Sequence, residues 1–185
     1  MKILIAGFGN LLQRDDGFGV VLLRRLQELP GWPPSVRFLD IGIGGITLVQ
    51  ELLEPFDALI VLDAIEGKRP GDIQTLEVSS EPEKRHSSSN PTENDFHHQD
   101  RFADIHYAEP GRAIALASEI GSLPNKVFLV GCVPESTELG DEMSEPVRRA
   151  LSAASDEVQQ LVTFLTNNWK NDFDIAERLD STRTV

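Results

Sequence analysis

The fold is indicated by the apolar run KILIA (residues 2–6), which continues as GFGN (residues 7–10) and is followed by DDG (residues 15–17). A strand followed by Gly-x-Gly is typical of dinucleotide-binding folds, but the third glycine of that motif falls at Leu12 here. A helix N-terminus attracts an anionic pyrophosphate through its free N–H groups, and Asp15 and Asp16 would repel that anion. The same two carboxylates attract a cation, so the segment favours a cation site over a phosphate site.

Length, charge and hydropathy restrict the class of protein. The 185 residues, 40% of them hydrophobic, fit one domain with a sizeable core. Glycines interrupt the first apolar run, and no later stretch approaches the roughly 20 apolar residues of a membrane span, so we expect a cytoplasmic protein without a membrane partner. A net charge of -13 opposes binding to nucleic acid or anionic lipid.

The single cysteine, Cys132, limits the possible chemistry. It excludes an intrachain disulfide and a Cys-rich zinc cage, so a metal site would use oxygen and nitrogen ligands. Cys132 ends an apolar strand, which predicts a buried small hydrophobe and not a nucleophile. The Gly-x-Ser-x-Gly and His-Glu-x-x-His signatures of serine hydrolases and zinc proteases are absent.

Hydrophobic periodicity predicts an α/β fold of three layers, α/β/α, with a mostly parallel twisted sheet. Apolar β-rich runs alternate with amphipathic segments in a βαβαβ pattern. We expect strands at about 2–7, 36–41 and 57–63, and helices at about 16–29 and 45–54.

The second half of the chain predicts an antiparallel edge strand and a long final helix. After the Pro70-Gly71 turn signal, residues 73–78 alternate with period two, as such an edge strand would. Residues 79–104 form a polar insertion, and further elements are expected at about 110–120, 126–133 and 144–169. Residues 1–169 are therefore predicted to form one domain, followed by a polar C-terminal tail at 170–185.

Candidate functional residues lie where strands end, because ligands of parallel α/β sheets bind beyond the carboxyl ends of the strands. Asp63 follows the apolar strand and Asp16 follows the first glycine loop. Each has a simpler alternative, since a lone Asp commonly caps the next helix or turn. Of the four histidines, His106 is best placed, directly before a helix. Two carboxylates and an imidazole would suit nickel, zinc, iron or manganese.

The stretch GFGNLLQRDDGFGV (residues 7–20) resembles the opening motif of the maturation endopeptidases of nickel-iron hydrogenases. In that family the second acidic position of the motif is a metal ligand. The likeness continues through DIGIGG (40–45), DAI (63–65) with PG (70–71), and GCVPE (131–135), and spans about residues 1 to 165.

The resemblance implies a set of site residues. Asp16, Asp63 and His106 carry over as nickel ligands, although the chain lacks the Pro-His-Gln sequence frequent around the family's histidine. The segment that contains Asp40, Gly42 and Gly45 carries over as a substrate-recognition loop. Isoleucine stands at position 43, where many relatives have threonine.

The resemblance also implies an activity, which is the removal of the C-terminal extension of a hydrogenase large-subunit precursor after nickel has been installed. The nickel would be presented by this protein partner, and the enzyme is expected to be a monomer. Either nickel assists the hydrolysis, or it serves recognition only while Asp16 or Asp63 acts as an aspartyl-protease-like general base. Two alternatives are a non-catalytic nickel-dependent chaperone for the same precursor and a nucleotide-binding α/β domain.

Overall fold

The computed structural model describes residues 1–78 and 109–180, with the side chains of residues 109 and 169–180 excepted. Five strands form one sheet: β1 (Ile3–Phe8), β2 (Val36–Gly42), β3 (Ala58–Ala64), β4 (Ile73–Val78) and β5 (Lys126–Cys132). Four α-helices accompany them: α1 (Phe18–Glu28), α2 (Gly45–Glu51), α3 (Glu109–Glu119) and α4 (Glu145–Asp180). A short 3₁₀ turn, Arg14–Gly17, precedes α1.

The strand order is β2-β1-β3-β5-β4. β1 pairs in parallel with both β2 and β3, and β3 pairs in parallel with β5. β4 lies at the edge and runs antiparallel to β5. The predicted α/β class, the mostly parallel sheet and the antiparallel edge strand are therefore confirmed.

Helices cover both faces of the sheet because alternate residues of the central strands point to opposite sides. On one face Ile5, Ile60 and Val130 pack with α1 and α4. On the other face Ala6 and Val61 belong to the cluster that includes α2 and α3. Ala58–Leu62 of β3 are buried throughout, as expected for the central strand of a three-layer domain.

The structure differs from the predicted elements most clearly at three helix ends. The helix predicted at about 45–54 ends at Glu51. The helix predicted to start near residue 16 begins at Phe18, because residues 14–17 form the separate 3₁₀ turn. The final helix, predicted to end near Trp169, continues to Asp180. Residues 170–180 contain no glycine or proline that would stop a helix.

No helix within residues 1–78 and 109–180 is both long enough and apolar enough to cross a membrane. The insertion predicted at 79–104 lies outside the described residues.

Candidate functional site

The candidate site lies at the switch point of the sheet. From β1 the chain crosses to β2 on one side, and it then returns to place β3 on the other side of β1. The carboxyl ends of β1 and β3 are therefore adjacent while their following loops diverge, and a crevice between such strands is where doubly wound folds bind ligands. Gly7 pairs with Leu62, so Asp63 comes directly beyond the last paired positions of these strands.

Asp16 is held at this edge by its own loop. It lies in the 3₁₀ turn, half-buried, and its Oδ2 accepts a hydrogen bond of 2.8 Å from the backbone N–H of Asn10. Gly9 adopts φ +125°, and a Cβ at this position would overlap the carbonyl oxygen of Asp16. The first glycine loop therefore packs directly against the turn that carries Asp16.

The simpler alternative for Asp16, a helix cap, does not hold. The residue before α1 is Gly17, and no side chain caps that helix. The helix instead starts close to the sheet, because a Cβ at Gly19 would overlap the carbonyl oxygen of Leu62. Gly19 thus allows α1 to pack closely against β3, the strand that carries Asp63.

Asp63 occupies the end of β3 and is partly exposed at the edge of the sheet. The pKa of its carboxyl group is raised to about 8, chiefly by burial and in smaller part by the negative charge of Asp16, while a backbone hydrogen bond from Ala64 acts in the opposite direction. The two carboxyl groups therefore lie close enough to repel each other when both are ionised. A carboxyl group with such a pKa exchanges its proton near neutral pH.

Asp15 has a different role from Asp16, which sequence reasoning missed. Its side chain is fully buried, and its carboxylate accepts backbone hydrogen bonds from Glu135, Ser136 and Ser144. Burial raises the pKa of Asp15, but the hydrogen bonds from Ser144, Ser136 and Glu135 outweigh it and the net shift is downward. The expectation that both carboxylates attract one cation is therefore wrong, because Asp15 is occupied by the backbone.

The predicted recognition segment lies beside the same edge. The carbonyl oxygen of Gly42 accepts a hydrogen bond of 2.9 Å from the backbone N–H of Gly9, and Gly45 is the buried first residue of α2. Asp40 lies within β2 and forms an exposed ion pair with Arg24 at 3.1 Å. Ile43 is 67% exposed next to these residues, where a bound partner can reach it.

His106, together with His86, His97 and His98, lies outside the described residues. Among residues 1–78 and 109–180, no group of three or more His, Cys, Asp or Glu side chains is arranged to hold a metal ion. Asp16 and Asp63 alone supply two oxygen donors, which is an incomplete and open ligand set. Such a pair can contact a metal carried by another molecule, or one member can accept a proton from water.

Cys132 is buried at the end of β5, as predicted. Burial, together with the charges of Asp15 and Asp72, raises the pKa of its thiol to about 12. The thiol is therefore protonated at neutral pH and unsuited to act as a nucleophile.

Comparison with known proteins identifies relatives of this chain. The sequence profile of the HycI family, described as hydrogenase maturation protease, matches residues 20–161. A hydrogenase expression/formation protein, HoxM, of Azotobacter vinelandii is 37% identical over 159 residues, which cover 83% of this chain and 68% of that protein. The hydrogenase 2 maturation protease of Escherichia coli is 29% identical over 160 residues, covering 85% of this chain and 88% of that protein.

Two solved structures share the fold. The hydrogenase maturating endopeptidase HybD from Escherichia coli superimposes with a TM-score of 0.67 at 24% identity, covering 88% of this chain and 93% of that one. A hydrogenase 2 maturation peptidase from a Thaumarchaeota archaeon superimposes with a TM-score of 0.61 at 27% identity, covering 88% and 98%. The chain belongs to the hydrogenase maturation protease family, and the predicted enzyme class, an endopeptidase, is confirmed.

Proposed function

We propose that this chain removes the C-terminal extension of a nickel-iron hydrogenase large-subunit precursor after nickel insertion. Membership of the maturation protease family supplies the reaction class. The observation that supports the nickel-dependent step is the pair of carboxylates, Asp16 and Asp63, at the switch point of the sheet. The precursor is the partner, and its nickel is part of the substrate.

Nickel recognition is assigned to Asp16, Asp63 and His106. Two carboxylate oxygens and an imidazole nitrogen suit a borderline divalent cation, and an incomplete ligand set leaves coordination positions for groups of the precursor. A cation also relieves the repulsion between the two carboxylates, and it favours the ionised form of Asp63. The site can thus test whether a precursor carries metal and then release the processed protein.

The hydrolytic step has two routes, distinguished by what activates water. In one route nickel polarises the scissile carbonyl group or lowers the pKa of a bound water. In the other, a carboxylate takes a proton from water, the hydroxide adds to the carbonyl carbon, and the C–N bond breaks as the leaving amine gains a proton. The raised pKa of Asp63 suits this residue to the role of general base, because a base works best when its pKa lies near the working pH.

The substrate-recognition role is assigned to the segment with Asp40, Gly42 and Gly45. This segment lies one strand away from Asp16, and the Gly9–Gly42 hydrogen bond joins it to the glycine loop. The exposed side chains of Ile43 and Ile46 accompany it. A precursor that presents its nickel to Asp16 and Asp63 would contact these residues first.

The experiment is an intact-mass measurement on a large-subunit precursor purified in nickel-loaded and nickel-free forms. The proposal predicts that this protein removes one C-terminal peptide from the nickel-loaded form and leaves the nickel-free form unchanged. A nickel-dependent complex whose precursor keeps its full mass would contradict the proposal and support the chaperone alternative. Equal cleavage of both forms would contradict nickel recognition while leaving the protease activity intact.

A further inference from the structure

The loop between β5 and α4, residues 133–144, lies against the turn that carries Asp16. Three backbone hydrogen bonds join the two segments. Arg14 donates to the carbonyl oxygen of Gly140 at 2.8 Å, Gly140 donates to Leu12 at 2.9 Å, and Asp15 donates to Ser136 at 3.1 Å. The β5–α4 loop and the Asp16 turn therefore form one hydrogen-bonded unit, although they are far apart in the sequence.

The Asp15 side chain completes this unit from inside. Its Oδ2 accepts the N–H groups of Glu135 at 2.9 Å and Ser136 at 3.1 Å, and its Oδ1 accepts the N–H of Ser144 at 2.7 Å. Both oxygens are thus engaged with the β5–α4 loop, and the residue is 0% exposed. Buried backbone N–H groups need acceptors, so a carboxylate that satisfies three of them holds the loop in one position.

The local backbone directs the two neighbouring carboxylates to different partners. Arg14 adopts φ +45°, a left-handed conformation that is uncommon for a residue other than glycine. Directly after this left-handed residue, the Asp15 carboxylate accepts hydrogen bonds from the β5–α4 loop. The Asp16 carboxylate instead accepts a hydrogen bond from the N–H of Asn10 at the carboxyl edge of the sheet. Because the two residues are consecutive, a displacement of Asp15 moves Asp16 with it.

We propose that Asp15 is a positioning residue of the reaction, which fixes the Asp16 carboxylate relative to Asp63 by anchoring the Asp16 turn to the β5–α4 loop. This inference rests on the proposed function. Asp15 has no exposed surface, so it acts through Asp16 and not by contact with the precursor. A misplacement of about 1 Å in a reacting group can cost roughly 100-fold in rate, so Asp15 substitutions are expected to act on kcat.

The test measures kcat and KM for cleavage of the nickel-loaded precursor by the wild type, Asp15→Asn and a stability-matched control. Asparagine keeps the shape of the side chain but replaces one acceptor oxygen with an N–H₂ donor, which opposes the donors of the loop. The control is Val162→Ala, which removes two buried methyl groups from the core-facing side of α4. Val162 lies roughly 25 Å along the helix from Ser144, so this change lowers stability without touching the Asp16 turn.

For Asp15→Asn, measured at a temperature where all variants are folded, we expect a kcat at least about 10-fold below wild type with a KM within about 3-fold. Val162→Ala should keep the wild-type kcat. Wild-type kcat in Asp15→Asn, or equal losses in both variants, would overturn the positioning role. If the wild type itself leaves the nickel-loaded precursor uncut, the proposed function fails, and the inference fails with it.

Hydrogen exchange supplies a second measurement that does not depend on a folded variant. In the wild type, the amides of Glu135, Ser136 and Ser144 should be protected together, since one carboxylate accepts all three. Exchange of these amides at the rate of an unstructured peptide would overturn the inference. Where Asp15→Asn folds, we expect their exchange to accelerate while that of the β3 amides stays unchanged.

Discussion

Replacing Asp63 with asparagine should change how the stability of the protein depends on pH. The pKa of Asp63 is raised from 3.8 to about 8 in the folded protein, because burial and the charge of Asp16 disfavour the carboxylate. Between these values the folded state keeps a proton that the unfolded state releases. The folded state therefore binds more protons, and the contribution of Asp63 to stability falls as pH rises from about 4 to about 8.

The size of this effect follows from proton linkage. One pKa unit corresponds to about 1.4 kcal/mol. The proton that Asp63 keeps only in the folded state should therefore lower the free energy of unfolding by about 2 to 3 kcal/mol between pH 5 and pH 7. For a chain of this length, about 1 kcal/mol shifts the melting temperature by roughly 2 to 4 °C. Asparagine does not titrate, so Asp63→Asn lacks this pH dependence. The melting temperature of the variant minus that of the wild type should therefore increase by about 5 to 10 °C from pH 5 to pH 7.

The assay is urea or thermal unfolding at pH 5, 6, 7 and 8 in the presence of a chelator, because a bound cation would favour the ionised carboxylate. Asp156→Asn is the matched control, since Asp156 is an exposed carboxylate on α4. The control should follow the wild-type pH profile. Parallel profiles for wild type and Asp63→Asn would refute the argument that burial and Asp16 raise the pKa of Asp63.

Three further substitutions test other parts of the account. In Gly9→Ala the new Cβ would overlap the carbonyl oxygen of Asp16. The substitution should therefore lower the free energy of unfolding in urea by at least about 2 kcal/mol and abolish precursor cleavage. Unchanged stability would contradict this packing argument. Asp40→Asn removes an exposed ion pair with Arg24, so the free energy of unfolding should change by less than about 1 kcal/mol. If Asp40 takes part in substrate recognition, KM for the precursor should rise. An unchanged KM would refute that role. Trp32→Phe removes a 2.7 Å hydrogen bond to a backbone carbonyl of α1, so urea unfolding should show a loss of about 1 kcal/mol in the free energy of unfolding. The cleavage assay should show an unchanged kcat, and a large loss of kcat would be inconsistent with a site confined to the switch point.

Much of the fold was predictable because its three central strands, β1, β3 and β5, are largely buried and strongly apolar. The segments around β1, β3 and β5 read as continuous apolar runs, and the period-two alternation at 73–78 marked β4 as a half-buried edge strand. The end of α4 was not predictable from polarity. A polar helix continues where no residue interrupts it, and the run after Trp169 contains no glycine or proline.

The site was predictable only in part. Strand ends indicated that Asp16 and Asp63 lie at one edge of the sheet, and the structure places β1 and β3 side by side and parallel. The division of labour between Asp15 and Asp16 depends on the left-handed conformation at Arg14 and on amides more than 100 residues away, such as that of Ser144. Neither feature leaves a local signal in the sequence. The ligand role of His106, which lies outside the described residues, stays a prediction.

In the proposed function, Asp16 and Asp63 together carry the nickel-dependent cleavage. The most direct test is the initial rate at which a nickel-loaded precursor is shortened, followed by intact mass. The proteins to compare are the wild type, Asp16→Asn, Asp63→Asn and Asp156→Asn. We expect the wild type and Asp156→Asn to cleave at the same rate, and each site variant to be slower by about 100-fold or more while remaining folded. Cleavage at the wild-type rate by both site variants would contradict the account.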